Sequence, residues 1–256
     1  MNHFEILEYF IEKEVENQNR STLFKLNTLA TDLMRQFTLM ERGCINYIQS
    51  IIVEPVISQL DRNPVDILCV NTITSDLISK IIDHKDDCPR AIRNISYLIR
   101  SSVGRRFNDL WMTSVSSFLF LRTVAPAIIS PHTYGVTYNS AGDQAKYKIQ
   151  VQIAKSIHDI VTRAVTNPTE DSFRIVEFLL DISRTPNCEE SSCSDFKMTN
   201  RFRNASINSL REYIKELKID DNCSNERELL GAELILLNLD RKEKSIFKKA
   251  LTKLKV

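Results

Sequence analysis

Apolar residues recur every three or four positions along most of this chain. Leu26, Leu29, Leu33, Phe37 and Met40 form one stripe, Ile92, Ile95, Leu98 and Ile99 a second, and Ile149, Ile153, Ile157, Ile160, Val161 and Ala164 a third. That spacing is the period of an α-helix with one face turned to a core, and no segment alternates apolar and polar positions long enough to predict a strand. The stripes are interrupted at Arg62 to Pro64, His84 to Pro89, His132 to Gly142 and Asn167 to Pro168, where the residues have turn chemistry. The pattern predicts an all-α, multi-helix fold. Stripes of this kind build a scaffold and point to no site by themselves.

One apolar run carries a charge. Phe118 to Pro131, FLFLRTVAPAIISP, places Arg122 among apolar neighbours. Burying an unpaired guanidinium costs several kcal/mol, so Arg122 must either snorkel to water or find specific acceptors. Pro126 disfavours the α conformation in the residue before it, so the helix carrying Arg122 is expected to end near Val124 or Ala125. An arginine in those last turns could reach out and hold a neighbouring loop by its carbonyls.

Composition narrows the classes of function. The 256 residues, 43% hydrophobic and 26% charged, suffice for one large core or two small ones. Lys+Arg 34 against Asp+Glu 33 leaves a formal charge of +1, which removes any global attraction to nucleic acid. Five glycines and seven prolines disfavour both a tightly turned sheet and a glycine-rich phosphate loop, so the chain is expected to bind no nucleotide alone. The N-terminus is acidic and amphipathic, unlike a signal peptide, and no apolar run reads as membrane-spanning, so a cytoplasmic location is expected. Cys44, Cys69, Cys88, Cys188, Cys193 and Cys223 then read as reduced thiols, and their spacing predicts no metal site. The glycosylation sequons at Asn94 and Asn204 carry no weight in that compartment.

A polar, turn-rich stretch, Arg184 to Asn200, separates a helical domain over 1–185 from a region over 186–256. A short helix near Ile207 to Leu217 and a longer one from Glu226 onward are expected to pack on the same domain. The last helix bears Arg241, Lys242, Lys244, Lys248, Lys249, Lys253 and Lys255 beside Ile246, Phe247, Leu251 and Leu254. It reads as a solvated helix end, with a membrane-surface contact as the sharper alternative.

Upstream of the first stripe, STLFKLNTLAT (Ser21 to Thr31) leads a polar stretch into a helix capped by Asn27 or Thr28 and sets Lys25 at the tip of a loop just before the helix start. Taken alone, Lys25 is an ordinary exposed lysine.

Together the two segments resemble the catalytic domain of Ras-type GTPase-activating proteins (RasGAP), marked by an FLR helix followed by PA and a later proline, and by an upstream F-R-x-x-[ST]-L-A finger loop. Phe120, Leu121, Arg122, Pro126, Ala127 and Pro131 carry the first motif. Phe24, Lys25, Asn27, Thr28, Leu29 and Ala30 carry the second. IIVEPVISQL (Ile51 to Leu60), SVGRRFNDL (Ser102 to Leu110) and IAKSIHDI (Ile153 to Ile160) are similar to further family segments in the right order.

The resemblance implies an all-helical activator of a GTP-bound Ras-like small GTPase. The resemblance further implies that such an activator would have no catalytic activity or cofactor of its own, because GTP and Mg would belong to the partner. Membrane contact would be indirect, through the lipidated partner. The resemblance implies Lys25 at the finger position, Arg122 as the brace of the finger loop, and Phe24, Leu26, Thr28, Leu121, Pro126 and Lys155 at the partner surface.

Lys25 is a departure, since the family pattern has arginine there. A lysine keeps the charge but loses the planar fork that bridges two oxygens. Three readings follow: Lys25 is a weaker finger, Arg20 reaches in instead, or the domain is a non-catalytic scaffold or effector that binds the GTP-loaded partner without stimulating hydrolysis. His158 and Asp159 also replace a Q-N pair of the family, and Thr137, Tyr138 and Asn139 stand where basic residues are common.

Overall fold

The computed structural model describes residues 3–62, 67–137 and 144–184, together with 211, 214 and 215. Among them there is no strand, and the all-α expectation is met. The helices are α1 (His3–Asn17), α2 (Leu29–Met40), α3 (Arg42–Tyr47), α4 (Glu54–Arg62), α5 (Ile67–Asp83), α6 (Arg90–Arg106), α7 (Trp111–Ser116), α8 (Ala125–Ile129), α9 (Gln144–Thr166) and α10 (Phe173–Ile182). Two π-helical segments, Ile48–Val53 and Ser117–Val124, join α3 to α4 and α7 to α8.

The second and third stripes lie where the periodicity puts them. Ile92, Ile95, Leu98 and Ile99 are buried on α6, and Ile149, Ile153, Ile157, Val161 and Ala164 on α9. Helix α9 packs on α5, α7, α8, α10 and the second π segment. The first stripe holds from Leu29, but Leu26 lies outside α2 and is 48% exposed. It belongs to the loop because the cap at Thr28 starts the helix after it.

Pro126 does not end the helix. The chain continues as one helix from Trp111 to Ile129. In the π segment each N–H reaches back one residue further than in an α-helix, and the Ala125 N–H bonds to the Phe120 carbonyl. Pro126 then stands in the first turn of α8, where a missing N–H costs little. Pro55 uses the same device: the Glu54 N–H bonds to the Gln49 carbonyl at the end of the first π segment. The Thr123 hydroxyl adds a bond to the Phe118 carbonyl at 3.2 Å.

The stretch Trp111–Ile129 is also, by length and composition, apolar enough to cross a membrane, contrary to the sequence reading. Here 67% of it is buried inside the protein, as befits a core helix. Of the region over 186–256, only Arg211, Ile214 and Lys215 are described, and Ile214 is buried in the same core as α1 to α10. The polar connection, the basic last helix and Cys188, Cys193 and Cys223 lie outside the described residues, as do Tyr138 and Asn139.

Candidate functional site

The loop between α1 and α2 is pinned at four places. Arg106, at the end of α6, donates to the carbonyls of Val15 and Glu16, which the C-terminus of α1 leaves open. Arg20 pairs with Asp109 and lies 5.3 Å from the Phe107 ring centre. Glu14 accepts the Phe24 N–H at 3.3 Å. Arg122 supplies the fourth point, from the second π segment. Thus SVGRRFNDL acts through Arg106, Phe107 and Asp109, which anchor the loop's entry.

At the tip, Phe24 is the one non-glycine residue with positive φ among the described residues, at 55°. A left-handed phenylalanine is strained, and it persists only where its surroundings over-determine it. Its ring is fully buried, its N–H meets Glu14, and its carbonyl accepts from Arg122 Nε at 3.3 Å. The same guanidinium donates to the Lys25 carbonyl and to Asn27 Oδ1. Arg122 therefore has acceptors and does not merely snorkel. Lys25 and Leu26 stand exposed beyond the brace, and the Lys25 side chain has no ion pair among the described residues.

Between the two expected caps, Thr28 is the one used. It adopts an extended conformation, and its hydroxyl accepts the Thr31 N–H while Thr31 Oγ1 accepts the Thr28 N–H at 2.9 Å. Thr31 Oγ1 also reaches the Leu26 carbonyl at 3.2 Å, closing the loop onto the helix start. Leu121 and Pro126 are half-buried on the helix that carries Arg122. Lys155 is exposed on α9, and no hydrogen bond links it to the loop among the described residues.

Sequence reasoning missed Glu14, only 6% exposed. A signal was available: Leu7, Phe10 and Ile11 lead the buried face of α1, and Glu14 takes the next position on that face. Burial pushes its carboxyl above the usual 4.5, against the opposing pull of Thr28, the Phe24 N–H and Arg122. Burial lowers the Arg122 pKa, and Glu14 opposes that shift.

A raised carboxyl pKa means that the folded state holds the proton more tightly than the unfolded chain. The resulting stability is complete below pH 4.5 and is lost as pH rises through the folded value. Glu14→Gln mimics the protonated form. Its melting temperature relative to wild type should therefore climb as pH rises above 4.5, which paired thermal melts will check. A constant difference would contradict the shift.

Among the described residues no three His, Cys, Asp or Glu side chains gather as a metal site. Cys44 and Cys88 are buried, and burial raises both thiols, Cys88 to about 12. Neither is set up as a nucleophile.

The family described as GTPase-activator protein for Ras-like GTPase matches residues 65–162, a span that includes Arg122 and Lys155 but not the Lys25 loop. The chain is 24% identical over 169 residues to Ras GTPase-activating protein 1 of Rattus norvegicus, covering 58% of this chain and 16% of that protein. It is 22% identical over 219 residues to Ras GTPase-activating protein 2 of Homo sapiens, covering 70% and 25%. RasGAP-activating-like protein 1 of Mus musculus is 26% identical over 191 residues, covering 60% and 23%. The chain thus spans a quarter or less of the length of these relatives. By its segment 65–162 and by these relatives, this chain, without a strand among its described residues, is similar to the Ras GTPase-activating proteins.

Proposed function

We propose that the chain is a GTPase-activating domain for a Ras-like small GTPase, which it engages in the GTP-bound state by presenting the Lys25 loop to the nucleotide site. The observation that carries this reading is the Arg122 guanidinium spread over Phe24, Lys25 and Asn27, with the Lys25 side chain left exposed beyond it. The similarity of residues 65–162 to GTPase activators supports it.

The chemistry would be the partner's. Phosphoryl transfer gathers charge on the β–γ bridging and γ oxygens, and a cation held in place stabilises that charge at no cost in reorganisation. Lys25 would supply the cation, and the Lys25 carbonyl, which accepts from Arg122, would order the partner's water-positioning group. Arg20 is the weaker candidate, because its guanidinium is committed to Asp109 and Phe107. Phe24 is buried and shapes the loop, while Leu26, Thr28, Leu121, Pro126 and Lys155 remain candidates for the partner surface. GTP and Mg would arrive with the GTPase, and any membrane recruitment of a cytoplasmic chain would follow from its lipidated partner.

An arginine finger supplied in trans is worth about 10³ to 10⁵ in the Ras–GAP pairs where it is established, a scale belonging to those pairs. A lysine forgoes one charge-assisted bond, so stimulation of about 10²-fold is expected. Single-turnover GTP hydrolysis by a panel of Ras-like GTPases, with and without the full chain, tests this. The second reading, a scaffold that binds without stimulating, rests on Lys25 itself. It would appear as binding of the GTP-loaded form with hydrolysis at the intrinsic rate. No binding to any GTP-loaded member would end both readings.

A further inference from the structure

We propose that Glu14 is a positioning residue for the Lys25 loop: from the buried face of α1 its carboxylate holds the left-handed turn at Phe24, so that Lys25 leaves the loop in one fixed direction. This rests on the reading that the loop enters a GTPase's nucleotide site.

Three features of the geometry point to this role. First, the Glu14 carboxyl accepts the Phe24 N–H at 3.3 Å, a group of the loop, and the Thr28 side chain at the loop's end pulls its pKa down. The attachment of α1 to its neighbours is served by other residues: Arg106 takes the Val15 and Glu16 carbonyls, Arg105 pairs with Glu12, and Ile6, Leu7, Phe10 and Ile11 fill the core. Second, the two polar groups of Phe24 meet opposite charges from opposite sides, the N–H on Glu14 and the carbonyl on Arg122. A peptide gripped in this way has its orientation fixed, which packing of the Phe24 ring alone cannot do, because a ring can be buried from more than one backbone conformation. Third, Glu14 and Arg122 attract one another across the loop, so each charge stabilises the other where burial disfavours both. Arg122 alone holds carbonyls and leaves the Phe24 N–H unserved. With Glu14 the clamp is two-sided.

Glu14→Leu, Glu14→Asp and Glu14→Gln separate the acceptor from the charge and from mere packing. Leucine removes the acceptor, aspartate keeps the charge but retracts it by one methylene, and glutamine keeps an oxygen within reach. Amide hydrogen exchange is measured on the full chain alone, and stimulated hydrolysis is measured as maximal rate and half-saturating concentration. In the leucine and aspartate variants the Phe24 amide should exchange at least about tenfold faster while α9 core amides keep their protection. Their maximal stimulated rate should fall about tenfold with half-saturation changed less than about threefold, because a misaimed finger costs rate and not binding. Glutamine should restore both readouts to near wild type.

Unchanged Phe24 exchange and unchanged maximal rate in Glu14→Asp would overturn the proposal, as would a glutamine variant as impaired as leucine. If leucine prevents folding, aspartate and glutamine decide. If wild type stimulates no GTPase, the functional reading falls, and exchange at Phe24 still decides whether Glu14 holds the turn.

Discussion

Arg122→Ala is expected to bring stimulated GTP hydrolysis down by about 10²-fold, close to the partner's intrinsic rate. The loss would not come from contact with the nucleotide. It follows from the release of three acceptors at once: the carbonyls of Phe24 and Lys25 and the side chain of Asn27. Phe24 would then be free to leave its left-handed conformation, and the Lys25 side chain would sample many directions.

Removing the guanidinium also strips Glu14 of the positive charge that opposes the upward shift of its carboxyl, so that shift grows. The guanidinium is only half-buried, so a stability cost of about 2 kcal/mol is reasonable, near the lower end for charge-assisted bonds. That corresponds to a melting temperature lower by roughly 5 °C. Arg122→Lys keeps a charge facing Glu14, but its donors sit on one nitrogen and cannot span acceptors spread over Nε, Nη1 and Nη2, so stability should return in part while stimulation stays at least about tenfold low. Wild-type stimulation by Arg122→Ala in the same single-turnover assay would refute the brace.

The second large effect is a gain. Lys25→Arg should raise the stimulated rate roughly 10- to 100-fold over wild type. Each charge-assisted hydrogen bond to a developing anion contributes about 1.5 to 3 kcal/mol, and the planar guanidinium can make one more of them than an ammonium. The loop is already built for the exchange. Lys25 is exposed, its side chain holds no structural partner among the described residues, and Arg122 grips its backbone alone. Melting temperature should be unaffected for that reason. Lys25→Ala should lose most of the stimulation while still binding the GTP-loaded partner. If Lys25→Ala matches wild type, the ammonium is not the finger. If wild type is inert and Lys25→Arg is active, the natural chain is the scaffold.

Much of the fold was legible because helix signals are local. Ile92 to Ile99 and Ile149 to Ala164 lie on faces set by a 3.6-residue period, and the Thr28 cap needs only its own side chain and Thr31. Pro126 misled for an instructive reason. The rule that proline ends a helix assumes an unbroken i to i−4 register, and the π segment Ser117–Val124 abandons that register as far as the Ala125 N–H, the last before the proline. Nothing in residues 117–124 announces the wider turn. The same widening before Pro55 makes it a recurrent solution in this chain.

The candidate site divides along a similar line. The chain's covalent order sufficed to single out Arg122 as a charge in an apolar run and Lys25 as a loop-tip cation, since each stands out against its immediate neighbours. That Arg122 braces the Lys25 loop, 97 residues earlier, was an expectation only through the family resemblance, and the contacts that make the grip came with packing. Glu14, Arg106 and Asp109 joined the site in the same way. Their partners lie on other elements, and a buried charge gains its meaning from what it faces across the core, a relation that no local pattern encodes.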